Sequence, residues 1–204
     1  MFGGGTAGNE QLTAVAGVIL LVLFAVLGVT IIRIGQLLWL HLFLGVLLVG
    51  PVALKLGSTG YRFVRYYTSN PAYRRKGPPP LLMRVLGPFV ILTTVAVFFT
   101  GLLLLIGGPG ASSLLRELHK LTFFAWLAAV GVHVLWHLPE LPSGLRAVRD
   151  HERRDRDLPG SRGRGLAVLA SLIGGLVLAL LFLHDIHIWT SGLAYNPKLH
   201  LRIG

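Results

Sequence analysis

The chain contains no cysteine, which excludes disulfides and thiolate-ligated iron–sulfur clusters and leaves no thiol from which to read a redox compartment. Charge is scarce as well. Only 13% of the 204 residues are charged, about half of the roughly 25% usual in a soluble domain. By contrast 53% are hydrophobic, and the mean hydropathy is +0.70. Such a composition belongs in a lipid bilayer. No nucleotide-binding motif and no catalytic triad is present, which argues against hydride chemistry by this chain alone. No carboxylate lies deep in an apolar run, which weakens a transporter reading. Residues 1–10 hold no basic side chain, and the apolar run after them is too long for a signal-peptide core, so a cleaved leader is not expected.

What is present is a set of uncharged runs long enough to cross about 30 Å of hydrocarbon. They are Leu12–Ile32, Ile34–Leu54, Val85–Gly107, about Leu114–Leu138 and Gly165–Leu183. The expected fold is therefore an all-α integral membrane protein with five transmembrane helices. Residues 1–11 are Gly-rich and expected to be disordered; 12–138 form a four-helix unit; 139–164 are a charged linker; 165–204 hold the fifth helix and a tail. The net charge of +11 does not signal nucleic acid, because of where the charge falls. Of the 19 Lys and Arg, seven lie from Lys55 to Arg84 and seven from Arg146 to Arg164. Both groups flank membrane runs, so the positive-inside rule places both loops and the N-terminus in the cytoplasm and the C-terminus outside a cell membrane.

Helices one and two are joined only by Arg33–Gln36, so they must be antiparallel neighbours. Helix two carries His41 about two turns below its outer end, and polar groups at that depth tend to mark functional sites. The loop Gly57–Pro80 is basic, aromatic and Pro-rich. It reads as an interfacial anchor, with Tyr61, Tyr66, Tyr67 and Tyr73 at the headgroups and Arg62, Arg65, Arg74, Arg75 and Lys76 against anionic lipid. Helix three holds Pro88, a candidate kink, and Thr93, Thr94 and Thr100, which can bond their own backbone. It ends at the outer turn GGPG, residues 107–110.

The chain is organised around Ser112–Leu138, an apolar run with histidines at 119, 133 and 137. A serine N-cap and Glu117 in an early turn mark its start. His119 and His133 are fourteen residues apart, so they share a helix face and stand roughly 21 Å apart along it. Helices two and four run in the same direction, and His41 and His119 sit at similar depths. Imidazoles on neighbouring helices at one depth, projecting into a bundle core, can hold a haem iron between two axial ligands. Gly45, Ala128, Ala129 and Gly131 are small enough to admit a flat macrocycle. Arg33, Arg116 and Lys120 lie at the outer ends, where they can pair with haem propionates or act as interfacial cations.

This histidine placement resembles the cytochrome b subunits of membrane formate dehydrogenases, nickel–iron hydrogenases and related small bacterial cytochromes b. The resemblance covers Leu12–Leu138. It implies that His41 and His119 clasp an outer haem b and that His133 belongs to an inner site. In that family the inner haem takes a second ligand from helix one, and residues 1–40 here contain no histidine. One haem is therefore expected, with two possible if His133 has another partner. Lys55 reaches the depth of His133, but a lysine there is expected to snorkel to the surface. His133, with His137 one turn further in, is then available to a quinone carbonyl.

The implied function is one-electron transfer between a quinone pool and an outer-side redox protein or dehydrogenase subunit, as part of an oxidoreductase. The competing class is a haem-free membrane anchor or scaffold. The linker 139–164, with seven arginines and five acidic residues, reads as a solvated segment. Helix five ends at His184, the next candidate for the outer site, and the tail adds His187, Trp189, Tyr195 and His200.

Overall fold

A computed structural model describes residues 4–75, 77, 80–140 and 159–195. The described chain is all-helical and contains five helices long and apolar enough to cross a membrane. The elements are α1 (Gly5–Ile32), α2 (Ile34–Leu47), α3 (Val49–Tyr67), α4 (Pro71–Arg75), α5 (Leu81–Gly107), α6 (Ser113–His137), α7 (Ser161–Leu181) and α8 (Leu183–Tyr195). The spans are α1, α2 with α3, α5, α6 and α7.

Burial is inverted relative to a water-soluble domain. Val22, Leu92, Phe99, Leu121 and Leu181 are exposed, whereas Asn9, Thr30, Ser58, Thr93 and Thr94 are buried. Hydrocarbon solvates the apolar faces as well as a protein core would, so the polar groups are the ones that must find partners inside.

The spans assemble as two units. In the first, α1 folds back on α2 and α3 across a turn at Arg33, whose φ of −117° and ψ of 38° interrupt the helix. Thr30 meets His41 near that turn, while Thr13 and Asn9 meet Ser58 at the far end. This is the antiparallel hairpin that the four-residue connection Arg33–Gln36 requires. α7 packs on its α2–α3 arm. In the second unit, α5 and α6 form an antiparallel hairpin whose turn needs Gly108 at φ 66°. Ser112 caps α6, its hydroxyl accepting from the Leu115 amide at 3.3 Å. The units meet where Phe24 of α1 packs on Trp126 of α6, with ring centroids 4.9 Å apart, and where Phe98 packs against Leu20, Leu48 and Val52. A second cluster joins Val46, Leu105, Ala179 and Ile186.

Several boundaries differ from those read in the sequence. α1 begins at Gly5, so residues 5–11 are helical and not disordered; Asn9 is buried there, its amide donating to the Ser58 carbonyl at 3.1 Å. The second span does not stop at Leu54. It runs 34 residues from Ile34 to Tyr67, with an interruption at Leu48, because α1 lies alongside its polar extension and supplies partners to it. Part of the expected loop 57–80 is thus helix, and Tyr73 is buried against Tyr61 instead of lying free at an interface. α5 starts at Leu81 and continues unbroken through Pro88. The fifth span is Ser161–Leu181, and α8 forms from what was expected to be tail. Residues 141–158 of the linker, Lys76, and His200 in the tail lie outside the described residues.

Candidate functional site

His41 sits on α2 one turn after Leu37, where the helix is locally irregular. Its Nδ1 lies 3.0 Å from the Thr30 hydroxyl, while that hydroxyl lies 2.6 Å from the Leu27 carbonyl. A hydroxyl carries one proton, and the carbonyl can only accept. The Thr30 proton is therefore spent on Leu27, and Nδ1–H of His41 donates to Thr30. Nε2 of His41 is left with the lone pair.

His119 repeats the arrangement on α6. Its Nδ1 lies 3.0 Å from the Thr100 hydroxyl, which reaches back to the carbonyls of Ala96 at 2.9 Å and Val97 at 3.1 Å. The same accounting turns Nδ1–H toward the Thr100 hydroxyl, with the Val97 carbonyl also within hydrogen-bond reach of the ring. The Thr122 hydroxyl stands 3.1 Å from Thr100 and donates to the His119 carbonyl at 3.0 Å, closing the network. Gly101 completes the seat. A Cβ at that position would come within 3.0 Å of His119 Cε1, so the ring lies flat against α5 because glycine is there. His41 and His119 belong to different units, and their side chains are within electrostatic range of each other. Each of the two histidines that depth matching selects is seated on a threonine of the neighbouring hairpin arm.

At the other end of the same helices, His133 lies within electrostatic range of Lys55 and packs its ring on His137, centroids 4.9 Å apart. Nδ1 of His133 is buried and has no hydrogen-bond partner among the described residues. Lys55 does not snorkel outward. Its Nζ turns to α1 and donates to the Thr13 carbonyl at 2.7 Å, because a membrane-embedded ammonium gains more from a carbonyl than from apolar surroundings. Between the two levels stands Trp126, seven residues from each histidine. It is 8% exposed, with its indole N–H donating to the Thr94 hydroxyl at 3.2 Å.

The cations expected near the site are exposed. Arg33 occupies the α1–α2 turn, Arg116 donates to the Ala111 carbonyl, and Lys120 pairs with Glu117 at 2.9 Å. All three stand at the end of the bundle that carries His41 and His119. His184 is exposed on α8. Instead Trp189 anchors that element, its indole donating to the carbonyls of Leu104 and Leu105, both at 3.2 Å. It thereby adds a side-chain donor to two carbonyls that the Gly108 amide also reaches at the end of α5.

Thr30, Thr100 and Gly101 were not singled out as site residues by the sequence. The available signal was a threonine on each helix facing a histidine-bearing helix, at the histidine's own depth once the hairpin turns are counted. Comparison with known proteins finds no matching family model, no matching curated protein and no matching solved structure.

Proposed function

We propose that this protein is a b-type membrane cytochrome that holds one haem between His41 and His119 and carries single electrons. The observation that supports this best is the pair of imidazoles, one from each unit, with both Nδ1–H groups turned to threonine hydroxyls. Metal-ligating histidines commonly donate their other N–H in this way, which sets tautomer and ring orientation. Among the described residues no group of three or more His, Cys, Asp and Glu is arranged to hold a metal ion. Two imidazoles alone would suit a metal whose other ligands come from a macrocycle, and His41 and His119 would hold it.

In this reading the haem supplies a reversible ferric–ferrous couple. The residues of the chain do the rest. Thr30 and Thr100 orient the ligands, Gly101 lets His119 lie against α5, and Trp126 and the lipid-covered helices keep water from the site. Arg33, Arg116 and Lys120 stand at the correct end to meet propionates, which Arg116 and Lys120 would do by leaving Ala111 and Glu117. With Lys55 turned to Thr13, this reading carries one haem. His133 and His137 are there to meet a quinone carbonyl. With the basic segments in the cytoplasm, the haem lies toward the outer face, and electrons pass between a membrane quinone and an outer-side redox subunit.

The test is an absorption spectrum of the purified chain, oxidised and then reduced with dithionite. A low-spin b-type spectrum is expected. A colourless protein purified from haem-replete cells would instead leave the haem-free anchor reading.

A further inference from the structure

His133 and His137 occupy the last two turns of α6, four residues apart on an unbroken helix. Their side chains therefore leave the helix on one face, one turn apart. The two rings lie together, with centroids 4.9 Å apart and planes inclined at 63°. His133 is half-buried and His137 is exposed. Nδ1 of His133 is shut off from solvent, yet it has no hydrogen-bond partner among the described residues. A buried imidazole nitrogen in that state calls for an explanation.

Histidines four apart on one helix face can share a metal ion, and the separation of the rings decides what kind. A metal about 2.1 Å from a ring nitrogen stands about 3.2 Å from that ring's centroid. Two such rings then have centroids about 4.5 Å apart when the bonds meet at a right angle, about 5.2 Å at the tetrahedral angle and about 6.4 Å when they lie on opposite sides of the metal. The observed 4.9 Å falls between the first two values. The pair is thus spaced for adjacent positions on a hydrated ion and not for the opposite positions that haem iron offers. Water reaches the exposed His137 and can fill the remaining positions. The place favours a cation as well, because the C-terminal end of a helix is its negative pole. Imidazole nitrogen suits zinc, copper and nickel, whereas calcium and magnesium take oxygen ligands.

We propose that His133 and His137 form a binding site for a divalent transition-metal ion of the zinc and copper class at the end of α6. The site goes beyond the electron-transfer reading and does not rest on it, since neither His41 nor His119 takes part. Each neutral imidazole gives a lone pair to the ion and displaces a water from it; a protonated ring first releases its proton. An ion held there stands at the rings assigned above to a quinone carbonyl, so the two ligands compete for them.

The experiment uses the full chain in detergent, purified without a polyhistidine tag. It is titrated with Zn2+ by calorimetry and with Cu2+ by electron paramagnetic resonance. The wild type is expected to bind both ions saturably, with Cu2+ coupled to two imidazole nitrogens. His133→Ala and His137→Ala should each bind Zn2+ roughly 10–100 times more weakly, because one imidazole no longer holds the ion near the other at high effective concentration. Cu2+ should then couple to one nitrogen of the site. Because His137 is exposed, its replacement keeps the test readable if His133→Ala does not fold. The double variant Leu135→His, His137→Ala keeps the number of histidines but sets the pair two residues apart, where side chains do not face each other. It should be as weak as His137→Ala. Wild-type affinity in His137→Ala or in the double variant would mean that the ion sits elsewhere and overturns the proposal. Absence of saturable Zn2+ and Cu2+ binding by the wild type overturns it too. Haem content and the reduced spectrum report on the electron-transfer reading separately.

Discussion

A threonine hydroxyl that has already given its proton to a backbone carbonyl can only accept from a histidine, and this accounting carries the site. Thr100→Val keeps the side-chain volume but removes the hydroxyl that faces Nδ1 of His119. Loss of such an outer partner commonly costs 10–100-fold in metal affinity. Haem should therefore pass to an apo-globin acceptor roughly 10–100 times more readily than from the wild type, with the low-spin spectrum of the remaining holoprotein unchanged. Equal retention by the variant and the wild type would mean that Thr100 does not support the ligand. His41 and His119 are matched in the sequence by their distance from the starts of two helices that run the same way, since helical rise is constant. Their threonine partners could not be matched in this way. Thr30 is eleven residues from His41 and Thr100 nineteen from His119, each across a turn whose geometry decides which faces meet. Lys55 was misplaced for a related reason: its length allows it to snorkel, and only the position of α1 shows a carbonyl within reach.

At the scale of the element, the informative contact is the crossing of the second span with α7. A Cβ on Gly50 would come within 2.0 Å of the Ser171 carbonyl, and one on Gly175 within 2.1 Å of the Leu47 carbonyl. Pro51 has no N–H, so the Leu47 carbonyl lacks its helical donor four residues on. The close approach brings Gly175 Cα to that carbonyl, which fits a weak Cα–H···O contact of the kind found where small residues let helices touch. Gly174 beside it meets nothing within 4 Å. Gly175→Ala should destabilise the bundle in detergent by roughly 1–3 kcal/mol through overpacking, whereas Gly174→Ala should be neutral or slightly stabilising. Thermal unfolding of the two variants side by side reads the difference, and equal melting would contradict this crossing. The five spans themselves were legible, since each is an uncharged run of sufficient length. The extension of the second span to Tyr67 was not, because its last turns are polar and aromatic and are helical in company with α1 and α4, through contacts such as Glu10 with Arg62 and Tyr73 with the Gly5 carbonyl.

For the whole molecule, the five candidate spans among the described residues would put residues 4 and 195 on opposite faces of a membrane, and the positive-inside rule predicts which face is which. Cysteines introduced at Ser69 and Ser191, the first between the second and third spans and the second on α8, should label from opposite sides, with Ser69 cytoplasmic. Labelling of both from one side would contradict five crossings. The two-unit assembly also bears on cofactor number, since the level of His41 and His119 offers an imidazole from each unit, whereas the level of His133 offers one imidazole and an engaged lysine. A pyridine haemochrome assay against quantitative amino-acid analysis should give one haem per chain, and a value near two would make Lys55 a ligand.

The most direct measurement is the dithionite-reduced minus oxidised spectrum, with haem content, of the wild type beside His41→Ala, His119→Ala and His133→Ala. The account predicts a low-spin b-type spectrum in the wild type, loss of haem from both of the first two variants, and an unaltered spectrum in the third. Retention of the wild-type spectrum by either His41→Ala or His119→Ala would contradict it.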